Sequence, residues 1–381
     1  MISAQSDKIP FNRPYTTGTE LAYVQQAVDA NHLLGDGSFT KRANELLRQM
    51  IGSRAVFLTT SCTHALEMTA ILLDLQPGDE VICPSFTFVS SVNAFVLRGA
   101  RPVFCDIRPD TLNIDESALP SLITPKTRAI VVVHYAGVAC EMDAILAVAA
   151  SNGVPVVEDN AHGLLGKYRG RPLGGFGALA AQSFHQTKNF TCGEGGALGV
   201  NEEHYRKRAE IIREKGTNRA QFLRGEVDKY TWVDVGSSYL PSEMLAAFLL
   251  AQLEAADHIQ QKRRLIWNRY AEGLADWAPS VGAELPCVPP HCEQPFHMFF
   301  VRMPTLERRT ALTVALRDRN IDAAFHYIPL HASPMGQRLG GRPGHCPVAE
   351  RAADGLLRLP FYTGLSCSDQ DRVIEAVRAF R

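Results

Sequence analysis

Lys188 lies in a polar bend that is unusual for a surface lysine. The surrounding stretch, SFHQTKNFTCGEGGAL (residues 183–198), places a threonine before the lysine and a glycine-rich turn, GEGG, soon after it. A lysine held in a closed site loses its proton more easily than in water, and the free amine then attacks carbonyl groups to form a Schiff base. Most lysines are solvated surface residues, so this chemistry requires other groups beside Lys188.

Three other short stretches carry groups suited to chemistry. Ser61, Cys62 and Thr63 open a helix after an apolar run. Free backbone N–H groups and the positive end of the helix dipole suit a phosphate there, and an ordinary N-cap is the alternative. Phe86 and Phe88 of SFTF can pack on a planar ring, although aromatic residues beside strands commonly belong to the core. Asp159 directly follows a buried-type run, where a carboxylate needs a partner, and a structural salt bridge is the alternative.

These four stretches together predict a cofactor. An amine, a phosphate site, a flat apolar face and an acid are the parts that hold pyridoxal phosphate (PLP). The acid keeps the pyridine nitrogen protonated, so that the ring withdraws electrons from the reacting carbon. Each part alone has a structural explanation, but four at successive strand ends indicate a PLP site.

Alternating strands and helices must position these groups. Apolar runs that alternate with helical patterns occupy residues 55–58, 80–83, 102–105, 129–134, 154–158, 179–185 and 196–201. This order predicts an α/β fold with a mainly parallel central sheet and helices on both faces. Ligands of such sheets lie beyond the carboxyl ends of the strands, where all four stretches fall.

The last third of the chain predicts a second, smaller domain. A long helix over residues 241–264 leaves the large domain. The remainder offers a strand (MFFVRM), a helix over residues 310–319 and the stretch FHYIPLH. We therefore predict a large α/β domain over residues 1–245, and a linking helix with a small C-terminal α+β domain over residues 246–381.

Composition excludes several classes of function. Hydrophobic residues make up 46 % of the 381 residues and the formal net charge is −1, so neither nucleic acid nor a membrane surface is favoured as a partner. The most apolar run, LAAFLLA, is far shorter than a membrane span, and the polar start, MISAQSDKIPFNRP, carries no secretory or transit signal. Nine cysteines without a CxxC pair predict a reduced, cytoplasmic protein. The histidines lack metal-type spacing, so no metal is predicted.

The order of the motifs resembles one family. SCTHALEM, PSFTFVSSVNAF, VEDNAHG and SFHQTKNFTCGEGG are similar to the DegT/StrS family of nucleotide-sugar aminotransferases, and the resemblance covers nearly the whole chain. It implies the fold type I architecture of PLP-dependent transferases, PLP as the cofactor, and a homodimer with active sites at the subunit interface. It also implies that L-glutamate donates an amino group to a dTDP-linked 4-keto-6-deoxy sugar for surface polysaccharide synthesis.

The family pattern assigns roles to individual residues. Lys188 corresponds to the Schiff-base lysine and proton carrier, and Asp159 to the partner of the pyridinium nitrogen. Phe88 corresponds to the aromatic residue that stacks on the ring. The phosphate ligands implied by the pattern are the backbone amides of Cys62 and Thr63 and the hydroxyl of Ser183.

Three positions depart from the family pattern. Cys62 stands where the family usually has glycine, so the phosphate turn must tolerate a side chain. His162 stands where glutamine commonly bonds the ring hydroxyl of the cofactor; imidazole can donate that bond too, and we predict that its charge varies near neutral pH. Ser238 stands where many relatives have an asparagine that reaches the phosphate in the neighbouring subunit, and the shorter serine makes that contact different here.

Substrate contacts are expected in three stretches. Diphosphate requires cations, and sugar hydroxyls require paired polar groups. The candidates lie in GDGSFT, in KGTNR and in FHYIPLH; they are Asp36, Phe39, Arg219, His326, Tyr327 and His331. As an alternative, any of these residues can serve only to brace loops.

Three other functions are compatible with the pattern to different degrees. One is a related aminotransferase that acts at another carbon, with another nucleotide or with another stereochemistry. The second is a PLP-dependent sugar dehydratase, but those relatives replace the lysine with histidine, and Lys188 argues against it. The third is a binding or regulatory protein without turnover, which the intact pair of Asp159 and Lys188 disfavours.

Overall fold

A computed structural model describes residues 8–381 of the chain. Residues 1–7, which belong to the first predicted domain and to the polar start, lie outside the described residues. The helices are α1 (Glu20–Asp29), α2 (Ser38–Ile51), α3 (Cys62–Leu72), α4 (Ser90–Val96), α5 (Leu119–Leu122), α6 (Met142–Ser151), α7 (Glu203–Arg213), α8 (Arg219–Leu223), α9 (Glu243–Glu254), α10 (Ala256–Leu274), α11 (Trp277–Ser280), α12 (Leu306–Arg317), α13 (Pro334–Arg338), α14 (Pro347–Gly355) and α15 (Cys367–Arg378). The strands are β1 (Ala55–Thr59), β2 (Glu80–Pro84), β3 (Arg101–Cys105), β4 (Thr127–Val133), β5 (Val156–Asp159), β6 (Lys167–Tyr168), β7 (Arg171–Pro172), β8 (Leu179–Ser183), β9 (Gly196–Val200), β10 (Cys292–Glu293), β11 (Phe300–Arg302), β12 (Ala324–Phe325) and β13 (Leu356–Arg358).

The central sheet has seven strands in the order β1-β9-β8-β5-β4-β2-β3. Only β9 runs antiparallel to its neighbours, β1 and β8, while the β8–β5, β5–β4, β4–β2 and β2–β3 pairs are parallel. All seven strands coincide with apolar runs of the sequence. The predicted α/β fold with a mainly parallel sheet is therefore confirmed.

Helices cover both faces of this sheet, as the apolar runs require. In β4 the consecutive residues from Ala129 to Val132 are all fully buried, but they face two different cores. Val131 packs with α3 and α4 on one face, whereas Ile130 and Val132 pack with α6 on the other. A strand buried on both faces cannot show the alternating pattern of a half-exposed strand, which explains its continuous β-branched sequence.

The predicted linking helix over residues 241–264 is two helices rather than one. α9 ends at Glu254 and α10 begins at Ala256. α9 is apolar on most of its surface because it packs against α1 and α2 of the large domain, whereas α10 buries one face against the small domain. The predicted division at residues 245/246 falls inside α9; the change of packing partner lies at Ala255.

The small domain contains the antiparallel sheet β11-β13-β12, covered by α10, α12 and α15. The beginning of the described chain also belongs to this domain. Ile9 pairs with Ile321, is buried in the same core, and donates its N–H to the Asn320 carbonyl at 2.8 Å. The domain is therefore built from two separated parts of the sequence. Within residues 8–381, none of the helices combines the length and the apolar character that crossing a membrane would require.

Candidate active site

Parallel strands bring the predicted residues to one edge of the sheet. Asp159 is the last residue of β5 and Ser183 is the last residue of the adjacent β8. The chain then turns through the loop that carries Lys188 before it returns as β9. Because β5 and β8 run in the same direction, their carboxyl ends and the following loops meet at this edge.

Asp159 is buried and oriented by two hydrogen bonds. The Ser91 hydroxyl donates to Asp159 Oδ2 at 2.6 Å, and the Ala161 N–H donates to Oδ1 at 3.1 Å. Thr87 Oγ1 lies 2.7 Å from Ser91 Oγ and holds that hydroxyl in place. Asp159 forms no ion pair with any residue that the structure describes, so the structural salt bridge considered as an alternative is not present.

The Lys188 amine lies in surroundings that favour its neutral form. Burial lowers the pKa of Lys188 to about 8, while the nearby Cys62 and Asp159 act in the opposite direction and Arg358 lowers it further. At pH 7 roughly one such amine in ten is unprotonated, compared with fewer than one in a thousand for a lysine in water. The Lys188 side chain is not a solvated surface lysine; it is only partly open to solvent.

The start of α3 lies where the sequence predicts a phosphate-binding turn. Ser61 is the N-cap, and its hydroxyl accepts the His64 N–H at 3.0 Å. The first N–H groups of a helix lack partners within the helix, and this leaves the amides of Cys62 and Thr63 for a ligand. Gly196 of β9 passes directly beneath this turn. A Cβ atom there would lie 2.3 Å from the Ser61 carbonyl carbon, so the close approach requires glycine.

Phe88 and Phe86 belong to different environments although only one residue separates them. Phe86 is in the core, with 1 % of its surface exposed, whereas Phe88 is 56 % exposed. The Phe88 ring centroid lies 6.2 Å from that of Tyr327, a predicted substrate residue. Phe88 is therefore a free aromatic face at the edge of the site and not a core residue.

Three histidine rings lie nearly parallel beside this edge. The His162 ring is 4.3 Å from the His297 ring at 18°, and 6.2 Å from the His326 ring at 20°. His162 Nδ1 is buried and has no hydrogen-bond partner among the described residues. Burial lowers the pKa of His162 well below its ordinary value, and the charge of Lys188 contributes. The expectation that the charge of His162 varies near neutral pH is therefore wrong: the imidazole stays neutral.

His297 is a site residue that the sequence did not indicate. Its Nδ1 lies 2.8 Å from Asn189 Oδ1, and Asn189 follows Lys188 directly in the chain. Two further bonds fix this contact: Asn189 Nδ2 donates to the Pro295 carbonyl at 2.7 Å, and the Arg263 guanidinium donates to the His297 carbonyl at 2.6 Å. The only signal in the sequence is a histidine inside the apolar stretch PFHMFFV.

His326 and Tyr327, which follow β12 of the small domain, lie beside the stacked histidines and Phe88. His326 Nδ1 lies 3.1 Å from the Tyr135 hydroxyl, and the Tyr327 ring contacts the rings of Phe86, Phe88 and Tyr135. Burial raises the pKa of Tyr327, so its hydroxyl stays protonated. His326 and Tyr327 therefore lie beside His162 and Phe88, and their contact with the substrate stays a prediction.

Three predicted substrate residues have structural roles instead. His331 is fully buried and bridges Ser85 Oγ at 2.5 Å and Glu350 Oε1 at 2.7 Å. Asp36 forms an ion pair with the buried Arg213, whose Nη2 donates to both carboxylate oxygens. Phe39 packs in the core between α2 and α9. Their placement argues against direct substrate contacts, because each side chain is already committed to partners in the fold.

Arg219 and Ser238 lie on an exposed segment. Arg219 donates to Glu214 Oε1 at 3.2 Å, and Ser238 forms a bridge with Glu214 while its side chain faces solvent. No hydrogen bond or ion pair joins Arg219 or Ser238 to Lys188. No group of three or more His, Cys, Asp or Glu residues suited to a metal ion occurs within residues 8–381.

Comparison with known proteins identifies first the class and then the family. Solved structures that superimpose on nearly the whole chain include the aminotransferase TlmJ from Streptoalloteichus hindustanus (32 % identical, 98 % of both chains, TM-score 0.89) and the PLP-form of Spr1654 from Streptococcus pneumoniae (27 % identical, 98 % of both chains, TM-score 0.91). The fold and the site are thus those of a PLP-dependent aminotransferase of fold type I. The chain belongs to the DegT/DnrJ/EryC1/StrS aminotransferase family, whose pattern matches residues 14–378. The spore coat polysaccharide biosynthesis protein SpsC of Bacillus subtilis is 32 % identical over 99 % of this chain and 98 % of its own length.

The residues at the strand ends fit PLP, the cofactor of this family. His162 Nδ1 is an unpartnered buried polar atom, Asp159 is a carboxylate without a cationic partner, and Lys188 is an amine whose pKa burial lowers. Asp159 can accept a hydrogen bond from a protonated ring nitrogen, and His162 can form a hydrogen bond with a ring oxygen. Lys188 can attack an aldehyde as a nucleophile. The donor set therefore matches the chemistry of the cofactor.

Proposed function

We propose that this enzyme transfers the amino group of L-glutamate to C4 of dTDP-4-keto-6-deoxy-D-glucose. The product is then dTDP-4-amino-4,6-dideoxy-D-galactose, and the chain acts in the cytoplasm as the transaminase that makes this sugar for enterobacterial common antigen. The stretches GDGSFT, HYAGVACEMD and FHYIPLH resemble that enzyme. The similarity to SpsC, which is named for polysaccharide biosynthesis, supports a sugar substrate.

One observation carries the aminotransferase part of this proposal. Lys188 and Asp159 lie beyond the ends of adjacent parallel strands, close enough for the carboxylate to act on the pKa of the amine. A dehydratase of this fold lacks the lysine, and a binding protein does not need an amine in this state. Transfer of an amino group needs both residues.

PLP, when bound, supplies an aldehyde that accepts the amino group and a ring that stabilises negative charge on the reacting carbon. Asp159 would keep the ring nitrogen protonated, with its carboxylate held by Ser91. Phe88 would stack on one ring face, and neutral His162 would donate its Nδ1 proton to the ring oxygen. The phosphate would bind the α3 amides of Cys62 and Thr63 and the hydroxyl of Ser183.

Lys188 performs the proton transfers of both half-reactions. Its neutral amine would take the proton from the α-carbon of L-glutamate; the amino group would stay on the cofactor, and water would supply the keto oxygen of the 2-oxoglutarate that leaves. In the second half-reaction the Lys188 ammonium returns a proton to C4 of the sugar. The sugar face that Lys188 meets decides between the galacto and the gluco product.

We propose that the site is completed by a second copy of the chain. The segment that ends near Ser238 exposes large apolar side chains, which monomeric surfaces rarely group together. These are Leu223, Tyr230, Trp232, Val233 and Val235, with Trp232 77 % exposed. A homodimer would bury this segment and bring Arg219 and Ser238 towards the neighbouring site.

Single-turnover experiments test the proposal. L-glutamate should convert the cofactor of the wild-type enzyme to pyridoxamine phosphate, and dTDP-4-keto-6-deoxyglucose should restore it. NMR of the product identifies the configuration at C4; a gluco product would favour the related aminotransferase of other stereochemistry. Borohydride should fix the cofactor on Lys188 and not on Lys167, which pairs with Glu293, and a peptide map without an adduct at Lys188 would refute the assignment.

A further inference from the structure

The hydrogen bonds around Asn189 fix the proton of His297 on one ring nitrogen. One end of the Asn189 amide lies 2.7 Å from the Pro295 carbonyl, which can only accept, so this end is the Nδ2 amino group. The other end, Oδ1, can only accept, and it faces His297 Nδ1 at 2.8 Å. Burial lowers the pKa of His297 well below its ordinary value, so the neutral ring carries a single proton. That proton lies on Nδ1, and Nε2 keeps its lone pair.

The backbone that carries His297 is held by α10. Arg263 of this helix is 2 % exposed; it donates through Nε to the Phe296 carbonyl at 2.9 Å and through Nη2 to the His297 carbonyl at 2.6 Å. The ring of Phe361 covers the guanidinium, with 4.8 Å between Cζ and the ring centroid. A rigid, planar group that donates to two successive carbonyls restricts the backbone between them. His297 therefore has a fixed position from which it can hold other groups.

The Nδ1 hydrogen bond connects His297 to the loop of Lys188. Asn189 follows Lys188 directly, and both lie between β8 and β9. The Lys188 N–H donates to the His185 carbonyl at 2.9 Å, a contact within the same loop. The bond from His297 gives this loop a fixed point on the segment that leads into β11. That fixed point lies next to the residue whose amine is to meet the cofactor.

One face of the His297 ring covers His162. The two ring centroids are 4.3 Å apart and the ring planes differ by 18°. His162 Nδ1 is buried and has no hydrogen-bond partner among the described residues, so no bond at that nitrogen orients the ring. The Tyr135 ring meets it only at an angle of 70°, with 6.1 Å between the centroids. The stacked contact with His297 therefore sets the plane in which His162 lies.

We propose that His297 is a positioning residue with two separable functions: its Nδ1 proton holds the Lys188 loop through Asn189, and its ring face holds His162 beside the cofactor site. This inference rests on the proposed function, in which Lys188 is the Schiff-base lysine. His297 contributes position and not charge, because its neutral ring carries none. The groups whose charge acts on Lys188 or His162 stay in place when His297 is replaced; they are Cys62, Asp159, His326 and Arg358. A changed titration in a His297 variant therefore reports access of water.

The substitution His297→Phe tests the hydrogen bond. It keeps an aromatic face on His162 and removes the Nδ1 proton, so the loop should loosen and admit water to the Lys188 amine. The pH midpoint for covalent capture of PLP by the apoenzyme should then rise from about 8 by about one pH unit. NMR signals of the His162 ring should stay those of a neutral imidazole, since its cover is retained.

The substitution His297→Asn tests the ring face. Its amide places an N–H where Nδ1 lay, so the bond to Asn189 is kept while the cover of His162 is lost. The midpoint for capture of PLP should stay near 8. His162 should become protonated about one pH unit higher than in the wild type, because burial is the main cause of its lowered pKa.

Two further variants control for general damage to the fold. Asn189→Leu removes the acceptor and should raise the capture midpoint as His297→Phe does. The double variant should show no further rise, because both changes delete the same hydrogen bond. His291→Phe makes the same exchange at a histidine that lies 3.0 Å from Glu141, and it should leave both measurements unchanged.

NMR of the ring nitrogens in the full-length wild-type apoenzyme tests the geometry without any substitution. His297 should carry its proton on Nδ1 at neutral pH, and a proton on Nε2 would overturn the proposal. A wild-type midpoint in His297→Phe would also overturn it. If each His297 variant changed both measurements, the residue would serve general packing and the two functions would be refuted. A wild-type enzyme that captures no PLP at Lys188 would instead refute the proposed function, and the proton position on His297 would still test this inference.

Discussion

Glu158 and Asp159 are neighbours in β5, yet they belong to two different regions of the molecule. Glu158 points into the core, where its carboxylate accepts from His134 Nε2 at 3.0 Å and from the N–H groups of Gly174, Phe176 and Gly177 at 2.7–2.8 Å. Asp159 points to the ligand side and accepts only two hydrogen bonds. The Glu158 carboxylate therefore has all its hydrogen-bond partners within the chain, whereas the Asp159 carboxylate can still accept hydrogen bonds from a ligand.

This difference separates structural from functional polar groups. Burial raises the pKa of Glu158, but the hydrogen bonds from His134 and from the backbone hold it below its ordinary value overall. Its partners are all supplied by the chain, so it stabilises the fold. Asp159, His162 Nδ1 and Arg358 keep unfilled bonding capacity, and all three lie near enough to Lys188 to interact with it electrostatically. An incomplete set of partners is therefore the mark of the site in this protein.

The substitution Asp159→Asn should have the largest effect. It removes a charge that the fold does not need, because Asp159 forms no ion pair within the described chain. We expect kcat of the first half-reaction to fall about 1000-fold, since a buried charge partner of the cofactor is worth several kcal/mol. Stopped-flow absorbance with L-glutamate measures this loss. Thermal unfolding of the apoenzyme should change little, and a strongly destabilised variant would contradict the comparison.

The substitution Glu158→Gln should give the opposite result. Breaking a buried, fully bonded charge should lower the free energy of unfolding by about 3 kcal/mol, seen as a lower urea midpoint. Because the pKa of Glu158 is lowered in the folded state, its contribution is present above about pH 4.5 and is lost as the pH falls below that value. The folded holoenzyme should keep kcat within about twofold. A large loss of kcat without loss of stability would place Glu158 in the site.

The pH dependence of cofactor capture sharpens the comparison further. The rate at which the apoenzyme binds PLP covalently should rise with pH, with a midpoint near 8, because the neutral Lys188 amine is the nucleophile. The charge of Asp159 raises the pKa of Lys188, so Asp159→Asn should move the midpoint to lower pH. Glu158→Gln serves as the control and should leave the midpoint in place. A midpoint near 10.5 would show that the amine is solvated.

Removing the hydroxyl that orients Asp159 should give the smallest effect. Ser91→Ala deletes the 2.6 Å hydrogen bond to Oδ2 and should lower kcat about tenfold, as expected for one bond to a charged group. Ser53→Ala is the matched variant in the core around Glu158, since Ser53 donates to the carbonyl of Gly174 at 3.3 Å. Its kcat should equal that of the wild type. Equal losses of kcat in Ser91→Ala and Ser53→Ala would show that the surroundings of Asp159 matter no more to catalysis than those of Glu158.

The strands and the candidate cofactor residues could be predicted because both follow from the order of apolar runs and polar residues along the chain. Apolar runs mark strands buried on two faces, and the residues just beyond them must meet at one edge. The short strands β12 and β13 and the break at Ala255 were missed, since pairing and packing partners decide them. The identity of the residues at Asp36, Phe39 and His331 suited substrate contacts, but ion pairs and core packing engage all three. His297, Tyr135 and Arg358 could not be singled out because only the fold brings them beside Lys188.

The pairing of Ile9 with Ile321 determines the order in which the chain can be completed during synthesis. The central sheet and α9, the helix that helps to cover one of its faces, are complete at Glu254, so they can form while the ribosome is still making the last third of the protein. The segment at Ile9 has no pairing partner until Asn320 and Ile321 have been made. A nascent chain that stops between α9 and Ile321 therefore carries the central sheet while the buried-type residue Ile9 has no partner, a state in which it is prone to aggregate.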